Sequence, residues 1–151
     1  MNENEFNHII DFAIEREIEA ANFYKEMQLK VRFESSVSLF KSLEEMEIKH
    51  AEILQKFTID SAENHNINKI TNLKISDYLE DVVPHDNMSF QEILIIAMKR
   101  EETANKLYLK LAEENVVIEK VRNLFLNLAE EEAKHKLQLE SIYDKEVLKD
   151  N

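Results

Sequence analysis

Glu47 and His50 stand three residues apart, and so do Glu132 and His135. In a helix that spacing puts both side chains on one face, a single turn apart. A carboxylate oxygen and an imidazole nitrogen held that way can share a cation or exchange a proton. Their position in the hydrophobic pattern is the more telling feature. Phe40, Leu43, Leu54 and Phe57 advance by alternating threes and fours, and the same progression lands on Glu47 and His50. Val121, Phe125, Leu128, Leu139 and Ile142 frame Glu132 and His135 in the same way. Acid and imidazole therefore occupy places where a core-facing Leu is expected.

Two further stripes carry a lone acid at mid-length. One runs Phe6, Ile10, Ala13, Glu17, Ala20, Tyr24, Met27; the other runs Phe90, Leu94, Ala97, Glu101, Ala104, Tyr108, Leu111. Steps of three and four are the seam of a helical bundle. The pattern predicts four helices, over residues 5–31, 36–57, 90–113 and 118–148. Ser89 and Glu92 have the spacing of a capping box at the start of the third. The halves repeat. "AIEREIEAANFY" from 13 aligns with "AMKREETANKLY" from 97, and "FKSLEEMEIKH" from 40 with "FLNLAEEEAKH" from 125. The chain thus reads as an all-α, single-domain bundle over 1–151, built from two helical hairpins of common design. The hairpins turn near Phe33–Ser35 and near Asn115–Val116. They are joined by a crossover, residues 58–87, too long for an ordinary connection. Within it "ISDYLEDVVP" has the apolar spacing of a short amphipathic helix ended by Pro84, and "ENHNINKITN" reads as an exposed loop.

Counting along each hairpin from its turn puts Glu17 level with Glu47 and His50, and Glu101 level with Glu132 and His135, at about 1.5 Å per residue. Six polar side chains should converge at mid-bundle. One Glu-x-x-His pair in an acidic helix means little. Two copies at repeat-equivalent core positions, each level with another Glu, are a different matter. Burying even one unpaired carboxylate costs several kcal/mol or forces it to take a proton. Two divalent cations balance four carboxylates; the carboxylates can bridge them while each His caps one. Oxygen and imidazole donors suit iron, manganese or zinc. Tyr24 and Tyr108, two turns beyond Glu17 and Glu101, are either core aromatics in need of a hydrogen-bond partner or groups that bond to a ligand. Glu44, Glu45, Glu130 and Glu131 read as solvated or as outer groups around the site, and His8, His65 and His85 as surface residues.

Composition agrees. Gly is absent, Pro occurs once, and a chain rich in Ala, Leu, Glu, Lys and Ile favours long helices. The absence of Cys excludes disulfides, thiolate zinc and iron–sulfur clusters. A net charge of −12 disfavours nucleic acid and anionic membranes as partners. No signal-peptide pattern and no membrane-length apolar run occur, so a cytoplasmic location is the expectation.

At "AIEREIEAANFY" with "LFKSLEEMEIKHAEIL", and "AMKREETANKLY" with "LFLNLAEEEAKH", the sequence resembles the rubrerythrin family of the ferritin-like superfamily. The resemblance covers nearly the whole chain apart from the crossover. It implies a ferritin-like bundle with helices running up-down-down-up. It also implies a non-haem di-iron centre, with ligand roles on Glu17, Glu47, His50, Glu101, Glu132 and His135. Two iron ions are the cofactor it implies, with manganese or zinc as alternatives. The implied function is an oxidoreductase that reacts with hydrogen peroxide or dioxygen and draws on an external electron donor. The implied assembly is a homodimer, in some members with exchanged hairpins. Iron binding as a ferroxidase for storage or delivery, or a structural metal-binding bundle, are the alternatives. The sequence departs from the family twice. It lacks the paired CxxC motifs of a rubredoxin-like domain, and it has Ala104 where peroxide-reducing members carry a second Glu one turn after the third helix's ligand.

Overall fold

A computed structural model describes residues 3–31, 33–61, 87–113 and 119–148. Among these residues four helices form: α1 Glu3–Met27, α2 Glu34–Ser61, α3 Phe90–Glu113 and α4 Glu119–Ile142, the last continued by a π-helical turn, Tyr143–Val147. All four predicted helices are present, with ends shifted by a few residues. The capping box at α3 forms as its spacing implies. The Glu92 amide donates to Ser89 Oγ at 3.1 Å, and the Ser89 amide donates to Glu92 Oε1 at 3.3 Å. Just before it, Asn87 sits at φ 67°, the left-handed region that Asn tolerates better than most residues.

α1 lies along α2 and α3 along α4, as two hairpins; the hairpins meet through α1 against α3 and α2 against α4. Helix direction follows from which ends share a core. One apolar cluster joins the N-terminal half of α1 (Ile10, Ala13), the C-terminal half of α2 (Leu54), the C-terminal half of α3 (Leu107, Leu111) and the N-terminal half of α4 (Val121, Phe125). The other joins the opposite halves, including Tyr24, Met27, Phe40, Leu43, Leu94 and Leu139. The order is therefore up-down-down-up. α2 and α3 run the same way, so the C-terminus of α2 and the N-terminus of α3 lie at opposite ends of the bundle. The short helix expected before Pro84, the loop before it, His65, His85 and the second turn near Asn115 lie outside the described residues.

The stripes are the core. Ile10, Phe40, Leu54, Leu94, Phe125 and Leu139 are fully buried. Each such side chain contributes about 1.5–3 kcal/mol on removal from water. α4 departs from a single regular helix. At Tyr143 it widens to a π turn, which rotates the following residues relative to an α-helix. Tyr143 and Val147 thereby lie against the second cluster, and Gln91 Nε2 donates to the Tyr143 hydroxyl at 2.9 Å.

Candidate metal centre

Between the two apolar clusters lies a polar layer. Glu17, Glu47, Glu101 and Glu132 are each 1% exposed, His50 1% and His135 5%. They sit there because the three-four progression that buries Leu43 and Leu128 continues through them without a break. All six predicted site residues come together, and α1, α2, α3 and α4 each supply at least one.

The donor atoms form two overlapping groups, the atoms within each group lying within 4.8 Å of one another. One group is Glu17, Glu47, His50 and Glu132; the other is Glu47, Glu101, Glu132 and His135. Glu47 and Glu132 belong to both. His50 Nδ1 lies 2.7 Å from Glu132 Oε1 and 3.2 Å from Glu17 Oε2. His135 Nδ1 lies 3.1 Å from Glu47 Oε1 and 3.4 Å from Glu101 Oε2. The imidazoles stack nearly parallel, with centroids 5.9 Å apart.

The protein leaves much of this polarity without hydrogen bonds. Glu47 Oε1, Glu101 Oε2, both carboxylate oxygens of Glu132 and His135 Nδ1 are buried, and although imidazole nitrogens and carboxylate oxygens lie close together, none of these atoms makes a well-aligned hydrogen bond. Orphan oxygens at that density would be costly in a finished core. A pair of divalent cations between the two donor groups would satisfy them, and hard oxygen and imidazole donors fit first-row metals.

Charge is distributed unevenly over the four acids. Burial, then repulsion from Glu17 and Glu101, holds the Glu47 carboxyl well above the usual carboxylate range. Burial, then repulsion from Glu101, Glu17 and Glu47, does the same to Glu132. Burial acts upward on Glu101 as well, but Glu132, His135 and the Tyr24 hydroxyl outweigh it, and the carboxyl ends below its ordinary value. For His50, burial acts downward and is overcome by Glu17 and Glu131, so the imidazole is raised. The upward shifts thus fall on the pair that both donor groups share.

The tyrosines reach across the bundle. Tyr24 on α1 donates to Glu101 Oε1 on α3 at 2.5 Å, and Tyr108 on α3 donates to Glu17 Oε1 on α1 at 2.7 Å. Because α1 and α3 are antiparallel, a residue two turns past one Glu faces the other. Burial, then the charge of Glu101, raises the Tyr24 hydroxyl far above its normal value; burial, then Glu17, does so for Tyr108. Both therefore keep their protons.

On the α1–α3 side a cavity of about 20 Å³ abuts the cluster, lined by Ala20, Ala104, Arg16, Arg100 and the four carboxylates. It has room for a water-sized molecule. The recurring small residue one turn after Glu17 and Glu101 was its signal in the sequence. On the α2–α4 side, Glu131 hydrogen-bonds His50 Nε2. Its position beside Glu132 suggested an outer group; that it contacts His50 required the helix crossing. Glu44 is half-buried and accepts from Gln28 Nε2 at 2.8 Å; Glu45, Glu130 and His8 are exposed.

An antiparallel four-helix bundle with two hairpins and a buried Glu/His cluster able to hold metal ions defines the class of protein. The rubrerythrin family model matches residues 8–82 and 92–151, and the chain belongs to the rubrerythrin family. A solved structure of a hypothetical protein from Pyrococcus furiosus is similar, with 28% identity and a TM-score of 0.71, over 90% of this chain and 86% of that one. No curated protein matches the sequence. Family membership supports a di-iron carboxylate protein in general terms. Among the described residues no helix is long and apolar enough to cross a membrane.

Proposed function

We propose that this chain is a non-haem di-iron redox protein that reacts with hydrogen peroxide or dioxygen and is returned to the ferrous state by an external electron donor. The observation that carries this is the pair of four-donor groups sharing Glu47 and Glu132. Glu17 and His50 would complete one metal site, Glu101 and His135 the other. The shared carboxylates would bridge. Two ferrous ions would supply the two electrons that reduce peroxide, with two protons, to two waters. The protein's share is positional. Tyr24 and Tyr108 hold Glu101 and Glu17 in place, the two apolar clusters exclude bulk water from above and below, and the cavity beside Ala104 admits only a small molecule.

Iron handling is the second reading, favoured by Ala104. Without a further carboxylate at that position the six-residue set is nearly symmetric, which resembles ferritin and bacterioferritin sites. Anaerobic titration with Fe(II) should saturate near two equivalents per chain; one equivalent would overturn the two-metal reading. Stopped-flow oxidation of the ferrous protein, with repeated turnover when a chemical reductant is supplied, separates redox catalysis from single-pass iron oxidation. A mineral core in a large assembly would point to storage. As proposals of the same kind, the donor is a separate protein and the working unit is a homodimer, in which hairpins can exchange.

A further inference from the structure

The repeat that relates the two halves fails at one position beside the site. The alignment that equates Glu47 with Glu132 and His50 with His135 equates Met46 with Glu131. Both imidazoles turn Nδ1 toward the carboxylates, which leaves Nε2 on the outer edge of each ring. At His50 that outer nitrogen is bonded to Glu131 across the α2–α4 contact. At His135 the matching neighbour is Met46, whose thioether is a weak acceptor. The His135 ring instead borders a cleft of about 300 Å³, lined also by Ser42, Met46, Lys134 and Gln138; Glu131 lines it too, but its carboxylate is bonded to His50 and not to His135. The side chain of His50 is 1% exposed and that of His135 7%.

We propose that Glu131 is a positioning residue that makes the two halves of the centre unequal: the ion carried by Glu17 and His50 is resident, and the ion carried by Glu101 and His135 is exchangeable. This rests on the two-metal reading above. A His that gives its outer N–H to a carboxylate is fixed in tautomer and orientation, with its other lone pair aimed at the metal and made more basic; losing such a partner costs about 10–100-fold in metal affinity. His50 has that support. His135 has no such bond at its outer nitrogen, and both its tautomer and its tilt are left open. The shared carboxylates and the tyrosines are balanced between the halves. Glu47 and Glu132 serve both ions, and Tyr108 on Glu17 answers Tyr24 on Glu101. An exchangeable ion beside a resident one suits a protein that takes up or hands on iron.

The test makes the halves alike. Glu131→Met copies the first hairpin into the second, and Met46→Glu does the reverse; both positions are partly exposed and both residues are good helix formers. Full-length metal-free protein is titrated with Co(II) against a competing chelator, giving two stepwise constants. Shared carboxylates separate the steps even for identical halves, so the variants carry the decision. Glu131→Met should weaken the first step about tenfold or more and leave the second within about threefold, while Met46→Glu strengthens the second about tenfold. Proton NMR of the Co(II) protein gives a readout that a merely structural role would not move. Each ligating imidazole shows its own exchangeable N–H resonance, and in wild type one should exchange slowly with solvent and the other fast. Glu131→Met should make both fast. A first step unchanged by Glu131→Met, or two N–H resonances that exchange alike in wild type, overturns the proposal. Wild-type protein that binds fewer than two Co(II) ions overturns the two-metal reading, and this inference falls with it.

Discussion

At its tyrosines and alanines the α1–α3 face of the site keeps the repeat's symmetry, although Glu19, paired with Arg16, answers Thr103; at the imidazoles the α2–α4 face breaks it. On the first, each tyrosine bonds the other helix's Glu, Ala20 answers Ala104, and Arg16 answers Arg100 around one small cavity. On the second, His50 has Glu131 and His135 has Met46 with a cleft. The difference teaches that a repeated chain can keep its buried Glu and His equivalent while diverging one residue away. Between the faces stand Glu47 and Glu132, which belong to both donor groups. Their removal should have the largest effect. Glu47→Ala with Glu132→Ala should abolish binding of both ions, whereas Glu17→Ala alone should lose one; equilibrium titration with Fe(II) under anaerobic conditions counts them. Two ions still bound by the double variant would mean that the shared pair does not bridge.

The same pair should dominate the stability of metal-free protein. Its carboxyls are the ones that burial and their neighbours push upward, and neither oxygen of Glu132 makes a well-aligned hydrogen bond. Replacing Glu47 and Glu132 by Leu removes that crowding. Substitution of buried ionic groups by apolar ones of similar volume gains about 1–4 kcal/mol in favourable cases. For a chain of this length that is a rise in melting temperature of roughly 3–12 °C. The variant should also lose all further stabilisation by added metal. Calorimetry of metal-free wild type and variant settles it, and a variant that melts lower would mean the acids are better satisfied than their geometry implies.

These two faces were unequally legible from residue types. The three-four stripes identified four helices because a bundle core imposes its period on the chain, and they reached Glu17, Glu47, His50, Glu101, Glu132 and His135 because side chains that converge at mid-bundle must share the core's register. The repeat suggested two hairpins, and the antiparallel contact of α1 with α3 completes the up-down-down-up order. Contacts across helices were harder. Tyr24 is two turns from Glu17 on its own helix, and nothing in its spacing says that it bonds Glu101; that follows only once α1 and α3 are known to be antiparallel. Glu131 stands off the stripe in a run of three acids, and its choice of His50 depends on how α2 crosses α4. The π turn at Tyr143 has no mark in composition, since the side chains that profit from it belong to a cluster built by other helices.

Ala104 tests what the symmetric face lacks. Ala104→Glu would place a carboxylate one turn from Glu101, at the edge of the small cavity. If the missing acid limits peroxide reduction, the variant should oxidise faster with peroxide relative to dioxygen. The expected change is about tenfold, within the range of a positioned acid–base group. Stopped-flow traces of anaerobic ferrous protein with each oxidant give the ratio. An unchanged ratio would remove Ala104 as the explanation and strengthen the iron-handling reading.

The smallest effect is also the sharpest check on symmetry. Tyr24→Phe and Tyr108→Phe each delete one hydroxyl that donates to a buried carboxylate, and leave a ring that still fills its place in the core. A hydrogen bond to a charged group contributes about 1.5–3 kcal/mol. Some of that is recovered in the variants because the freed Glu oxygen can turn toward a metal. In metal-free protein each variant should therefore melt a few degrees lower. In loaded protein the loss should shrink, since the ion then satisfies the oxygen that the tyrosine had held. The decisive quantity is the difference between the two. The donors are on antiparallel helices, both are fully buried, and their bonds differ little in length, so the two losses should agree within about 0.5 kcal/mol, the scatter expected for equivalent, independent sites. Calorimetry on both variants, with and without metal, measures this. If Tyr24→Phe costs much more than Tyr108→Phe, the inequality of the two sites extends through to the α1–α3 face, and Glu131 is not its sole origin.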